Sequence, residues 1–259
     1  MTILAFDTSS EFLSVAIATS AGVSGVHERV GHAHADQLIP TIQRLCRDAG
    51  TTLDTIEAIG FGAGPGAFTG LRIACGVAQG LAFSIPCPVA PIGAFEAIAA
   101  AAAAAFELAA RGVTSTAVRS VRVAIDARMG EVYTAKVERS GQHWLIVGDA
   151  KVISPDDVPA DGDIAAGSGY AAYPALAARA ARHAEVLGDI VPDARVMIRL
   201  VQHALRCGEA VDAAQAAPVY LRDRVALTII ERRDGVRLRS DTRSAETRSA
   251  DARPRGDRA

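Results

Sequence analysis

The sequence predicts a mixed α/β protein built as two similar domains in tandem, and three observations carry that expectation. A hairpin pattern near the N-terminus and a third strand are followed by alternating helical and strand patterns, the order expected of a mixed sheet with helices packed on it. The run Val123-Ala124-Ile125-Asp126 repeats the pattern of Leu4-Ala5-Phe6-Asp7, and each run ends in an aspartate, turns and returns as a strand. The chain of 259 residues, 50% of them hydrophobic, is long enough for one large domain or two modest ones whose cores need no disulfide or metal staple.

In order along the chain, Ile3 to Asp7 is a short apolar strand, Thr8-Ser9-Ser10-Glu11 is turn chemistry, Phe12 to Ala18 resumes as a strand and Val23 to Val30 is a third. Leu38, Ile42, Leu45 and Ala49 form one stripe of an amphipathic helix from Asp36 to Ala49, which Gly50 stops. Ala58 to Ala63 reads as a buried strand entering a glycine-proline turn. A helix from Thr69 to Phe83, a short strand near Val89 and an alanine-rich helix from Ala94 to Ala110 follow. The second cycle has strands at Arg122 to Asp126, Glu131 to Glu138 and around Trp144 to Val152, with following helices expected to repeat the first half. The expected division is therefore 1–114 and 115–232. From Glu231 onward, nine arginines stand against six acidic residues with almost no apolar anchors, so the tail 233–259 is expected to be disordered.

Composition excludes several classes of function. With 27 basic and 29 acidic residues, a net charge of −2 gives no global pull toward nucleic acid. Cys46, Cys75, Cys87 and Cys207 contain no C-x-x-C pair, so buried thiols in a reducing compartment are expected, and neither disulfides nor zinc. The N-terminus has no basic segment and reaches Asp7 after six residues, so no signal peptide is expected. Ile73 to Phe95 is uncharged and long enough to span a bilayer, but Pro86, Pro88 and Pro91 would break that helix; no membrane span and a cytoplasmic location are expected.

Asp7 closes a buried strand before two serines and a threonine. Taken alone it reads as an Asx-type turn, its carboxylate accepting local backbone N–H bonds. Asp126 at the equivalent second position adds another reading, because paired strand-end aspartates across a cleft are how the acetate kinase, sugar kinase, Hsp70 and actin superfamily handles nucleotide and metal. There the following turns are glycine-rich so that bare amides close on phosphates. Here the first turn, with Thr8, has no glycine, and the second, Asp126-Ala127-Arg128-Met129-Gly130, puts Arg128 and Met129 where phosphates would approach. The pattern is that of a degenerate nucleotide cleft.

The densest signal is Gly62-Ala63-Gly64-Pro65-Gly66-Ala67-Phe68-Thr69-Gly70-Leu71-Arg72-Ile73, which is neither a Walker A loop nor G-x-G-x-x-G. It lets a strand reverse abruptly into a helix. Thr69 is a candidate N-cap. Arg72 in the first turn opposes the helix dipole unless a carboxylate or phosphate sits nearby. Ala74, Ala78 and Ala82 share one stripe of that helix, and Gly76 and Gly80 a neighbouring one. Glycines inside a helix cost ~1 kcal/mol each, so they call for a close backbone approach, either to the helix's own sheet or to a partner helix. His32 and His34 lie two apart and the chain has no H-x-x-x-H, which disfavours a metalloprotease. Ser168, between Gly167 and Gly169, reads as a loop residue.

Ile3-Leu4-Ala5-Phe6-Asp7-Thr8-Ser9, His34 through Pro40, Gly64 through Ile73, Asp126-Ala127-Arg128-Met129-Gly130-Glu131-Val132-Tyr133 and Pro218-Val219-Tyr220-Leu221-Arg222 resemble, in order, the bacterial TsaB family of tRNA threonylcarbamoyladenosine biosynthesis proteins. The resemblance spans Met1 to Leu227. Ala35 and Ala67 replace usual serines and Ala74 a usual glycine. It implies two tandem RNase H-like domains and a non-catalytic subunit that pairs with TsaD, the transferase that modifies the adenosine next to the tRNA anticodon. It further implies a homodimer when alone, a larger ATP-dependent assembly with TsaE, tRNA contact only through the complex, and neither cofactor nor metal. On this reading His34, Leu38, Ile42, Leu45, Leu71, Arg72, Gly76 and Gly80 form the partner surface. The alternatives are a kinase-like ATP enzyme of the same superfamily and, less favoured, a metal-dependent glycoprotease.

Overall fold

β1 (Ile3–Asp7) is buried along its whole length, as a strand covered on both sheet faces must be. It pairs antiparallel with β2 (Phe12–Thr19) and parallel with β4 (Ala58–Gly64). With β3 (Gly22–Arg29) and β5 (Val89–Gly93) at the edges, the sheet has the order β3-β2-β1-β4-β5. In the second sheet β6 (Ser120–Arg128) takes the place of β1: β7 (Glu131–Ser140) and β8 (His143–Ile153) lie antiparallel on one side, and β9 (Ile164–Ala166) and β10 (Glu185–Leu187) on the other. Read from the third strand, the order β8-β7-β6-β9-β10 reproduces that of the first sheet, as the repeated apolar run predicts. The computed structural model describes residues 1–109 and 118–222, of which Met1–Leu221 form one compact unit. The expected boundary at 114/115 and the charged tail 233–259 lie outside the described residues.

On the outer face of the first sheet, α1 (His34–Asp48) and α2 (Phe68–Ser84) bury Leu38, Ile42, Leu45, Ala74 and Ala78 against Leu4, Phe6, Val15 and Phe61. The helices of the second half do not repeat this pair. Between β8 and β9 there is a single helical turn at Pro155–Asp157, and the outer face of the second sheet is covered by the short α4 (Ser168–Ala172) and α5 (Pro174–Ala180) through Tyr170 and Leu176. Ser168 is therefore not a loop residue. It opens α4, and its Oγ accepts a hydrogen bond from the Asp126 amide at 3.1 Å.

The inner faces of the two sheets share one core with α3 (Ala94–Ala109) and α6 (Ala194–Cys207). Each of these helices reaches across: α3 packs on β6, β7, β8 and β9, and α6 on β1, β2 and β3. Close approach depends on small residues. Ala97 to Ala103 of α3 are buried, and a Cβ on Gly60 of β4 would lie 2.1 Å from Val201 Cγ2 of α6. The signal for α6 was in the sequence: Ala194, Met197, Ile198, Val201 and Ala204 recur at helical spacing between an Asp193 cap, which accepts from the Arg195 amide, and a left-handed Gly208. Among the described residues no helix is long and apolar enough to cross a membrane.

Candidate functional site

β1 delivers Asp7 to the end of the first sheet in a fully enclosed position. Its Oδ1 accepts hydrogen bonds from the Ser9 amide and the Ser9 hydroxyl, both at 2.8 Å, which is the Asx-type turn. Burial pushes the carboxyl up from 3.8 to about 6, against the lowering effect of those two bonds. The space a phosphate would need is filled by protein. A Cβ on Gly62 would lie 1.8 Å from Asp7 Oδ2, and one on Gly70 would lie 1.8 Å from the Thr8 carbonyl oxygen. The Thr8 hydroxyl donates to the Gly70 carbonyl at 2.7 Å, and the Ala67 amide donates to the Ser9 carbonyl at 2.8 Å. The glycines of the Gly62 to Gly70 segment thus let that loop and the start of α2 close directly over the Thr8-Ser9 turn.

The Asp126 turn is open. Asp126 is half-buried; its Oδ1 accepts from the Arg128 amide at 2.9 Å and the Tyr173 hydroxyl at 3.3 Å, while its Oδ2 pairs with the Arg128 guanidinium at 3.0 Å. Arg128 and Met129 both adopt left-handed backbone, with φ of 62° and 58°, and both are exposed. Two long side chains therefore occupy a turn whose conformation favours glycine. A cavity of about 370 Å³, lined in part by His27, Ala101, Asp193 and Arg195, includes neither Asp7 nor Asp126.

The residues expected on a partner surface divide in two. Leu38, Ile42, Leu45 and Leu71 are buried in the chain's own interior, and His34 is buried with Nε2 3.2 Å from the Phe12 carbonyl, so none of these five offers a side chain to a partner. The reason is physical: the apolar stripe of an amphipathic helix goes first to its own sheet. Arg72, Gly76 and Gly80 are exposed, and a Cβ on either glycine would meet nothing within 4 Å. The sheet is approached instead by the Ala74, Ala78 and Ala82 stripe. Among the described residues no carboxylate pairs with Arg72. Its guanidinium lies 3.9 Å from the centroid of the Phe68 ring and its Nε donates to the Tyr220 hydroxyl at 3.3 Å. Thr69 is exposed and is not the cap, since α2 begins at Phe68 after Ala67 with no side-chain capping bond.

Sequence reasoning singled out the Gly64 to Ile73 and Pro218 to Arg222 segments without seeing that they meet. The Val219 amide donates to the Ala63 carbonyl at 2.7 Å, and the Tyr220 ring packs on Phe68 at 5.3 Å between centroids. Nor are the cysteines all buried: Cys46 and Cys75 are, Cys87 is half-buried and Cys207 is exposed.

Two sheets of matching order, with an aspartate at the end of each central strand, define the class: a tandem RNase H-like protein of the acetate kinase, sugar kinase, Hsp70 and actin architecture. Within it, the chain is 33% identical to tRNA threonylcarbamoyladenosine biosynthesis protein TsaB of Haemophilus influenzae over 237 residues, 87% of this chain and 95% of that protein. It is 34% identical to TsaB of Escherichia coli over 236 residues, 87% of this chain and 96% of that one. The chain belongs to the TsaB family. The solved structure of YeaZ from Pseudomonas aeruginosa superposes with a TM-score of 0.72 at 33% identity, covering 85% of this chain and 99% of that one. A family model described as TsaD, tRNA N6-adenosine threonylcarbamoyltransferase, matches residues 10–162.

Proposed function

We propose that this chain is a non-catalytic subunit in the biosynthesis of tRNA threonylcarbamoyladenosine, working in the cytoplasm as the partner of a TsaD-type transferase. The observation that carries the reading is the closed turn at Asp7: the loop and helix lie directly on Thr8 and Ser9, and the Ser9 amide is already bonded to the buried Asp7 carboxylate where a phosphate would approach. The names of the relatives support the pathway, and the match to the TsaD family model supports kinship between the two subunits.

The docking face in this proposal is the exposed stripe of α2, Phe68, Arg72, Gly76, Gly80 and Phe83, together with Ile39 on α1. The two glycines allow a partner helix to approach to backbone contact, and the aromatic and aliphatic side chains flanking them supply apolar area. The same face serves a homodimer when the chain is alone. In this scheme TsaE joins a larger ATP-dependent assembly, tRNA is reached only through the complex, and residues 1–114 carry the pairing surface while 115–232 complete the fold.

Co-purification with the TsaD partner, followed by tRNA modification assayed with and without this chain, tests the reading. The expected result is a stable complex, modification that depends on the chain, and no ATP turnover by the chain alone. Micromolar ATP binding with turnover that is lost in Asp7→Ala overturns it.

A further inference from the structure

At the end of α6, His203 and Cys207 stand one helical turn apart, and Glu209 follows the left-handed Gly208 that terminates the helix. A nitrogen of His203, the Cys207 sulfur and a Glu209 carboxylate oxygen all lie within 4.8 Å of one another. Cys207 Sγ is 3.6 Å from each ring nitrogen of His203. Bonds of about 2.1 Å to nitrogen and about 2.3 Å to sulfur around one tetrahedral ion place those two atoms about 3.6 Å apart. A fourth donor stands alongside, because the ring of His143, the first residue of β8, stacks on His203 with centroids 3.3 Å apart.

We propose that His143, His203, Cys207 and Glu209 form a binding site for a zinc-class transition-metal ion. Two imidazole nitrogens, one thiolate and one carboxylate are a donor set suited to Zn²⁺ and unsuited to the all-oxygen preference of Mg²⁺ or Ca²⁺. On binding, the Cys207 S–H proton leaves to solvent as the metal–sulfur bond forms, and the thiolate and carboxylate together offset the charge of the dication. Cys207 and Glu209 are exposed and His203 is half-buried, so the ion has a direct path from solution. Contraction of the three clustered donors by about 1 Å, and a side-chain rotation that unstacks His143, complete the tetrahedron. The ion would tie the end of α6, which packs on the first sheet, to the β7–β8 hairpin of the second. The expectation of no zinc rested on C-x-x-C and H-x-x-x-H spacings. The H-x-x-x-C of His203 and Cys207 is neither, and His143 joins it only through the fold.

The test uses the full chain, stripped of metal and titrated with Zn²⁺ against a chromogenic chelator, and with Co²⁺ as a spectroscopic probe. The expected result is one ion per chain, tetrahedral Co²⁺ bands and a thiolate-to-cobalt charge-transfer band. Cys207→Ser should abolish that band, and Cys207→Ser and His143→Ala should each weaken Zn²⁺ binding by at least about tenfold with an unchanged circular dichroism spectrum. Zn²⁺ should raise the melting temperature of the wild type and not of Cys207→Ser. The proposal is overturned by a wild-type chain that takes up no stoichiometric Zn²⁺, by a charge-transfer band that persists in Cys207→Ser, or by a His143→Ala chain that binds as tightly as the wild type.

Discussion

The turns after β1 and β6 occupy the same place in two sheets of matching order, and they are occupied by different means. After β1, tertiary packing closes the site: α2 and its glycine-rich approach lie on Thr8 and Ser9, and Asp7 is sealed beneath. After β6 no comparable element among the described residues covers the turn, and the obstruction is local, two left-handed side chains and an ion pair between Arg128 and Asp126. The difference teaches that equivalent turns of a duplicated fold can be occupied through packing in one copy and through turn chemistry in the other.

Substitutions separate the two mechanisms. The largest effect is expected at Gly70, where an added Cβ meets the Thr8 backbone carbonyl and something must move: Gly70→Ala should destabilise the fold by about 3 kcal/mol in urea unfolding. An unchanged midpoint would show that the first turn is not held by that contact.

Asp7 gives the next effect, through pH. Its carboxyl ionises at about 6 when folded and near 3.8 when free, so the folded chain holds the extra proton between those values, and stability falls as pH rises through that window. Asp7→Asn should therefore gain on the wild type by up to about 3 kcal/mol between about pH 4 and about pH 7, with a flatter pH profile. A difference between the two chains that is independent of pH would place the Asp7 carboxyl outside the buried environment described here.

At the second turn, Met129→Gly replaces an exposed side chain held in left-handed backbone and should stabilise by about 1 kcal/mol. A loss of stability would show that Met129 is held by contacts rather than strained. The smallest effect on the fold belongs to Gly76. Because a Cβ there meets open space, Gly76→Leu should leave the melting curve within about 1 kcal/mol of the wild type while abolishing capture of the TsaD partner in a pull-down. Retained capture would move the docking face off α2.

Much of this was legible because it is local. The alternation of apolar residues around Asp7 and Asp126 gives the two hairpins, and the Leu38, Ile42 and Leu45 stripe gives α1, within a few residues of the observed ends. The same stripe misled the assignment of the partner surface. Periodicity says that one face of a helix is apolar; it does not say whether a sheet or another protein covers it, and here the sheet has first claim. The glycines of α2 show the converse. Their number and spacing called for a close neighbour, and only the fold reveals that Gly70 meets the Thr8 carbonyl whereas Gly76 and Gly80 face outward.

The sequence by itself determined the class of fold, its duplication, the aspartates at the ends of the central strands and the family, since each depends on residue types at short, fixed spacings. Tertiary structure decided which turn is closed by packing, that α3 and α6 each cross to the opposite sheet, that Tyr220 completes the Arg72 cluster from the far end of the described chain, and that His143 stacks on His203 beside Cys207 and Glu209. These are contacts between residues distant in the chain. Their formation depends on the shape of the whole core, which no local spacing encodes.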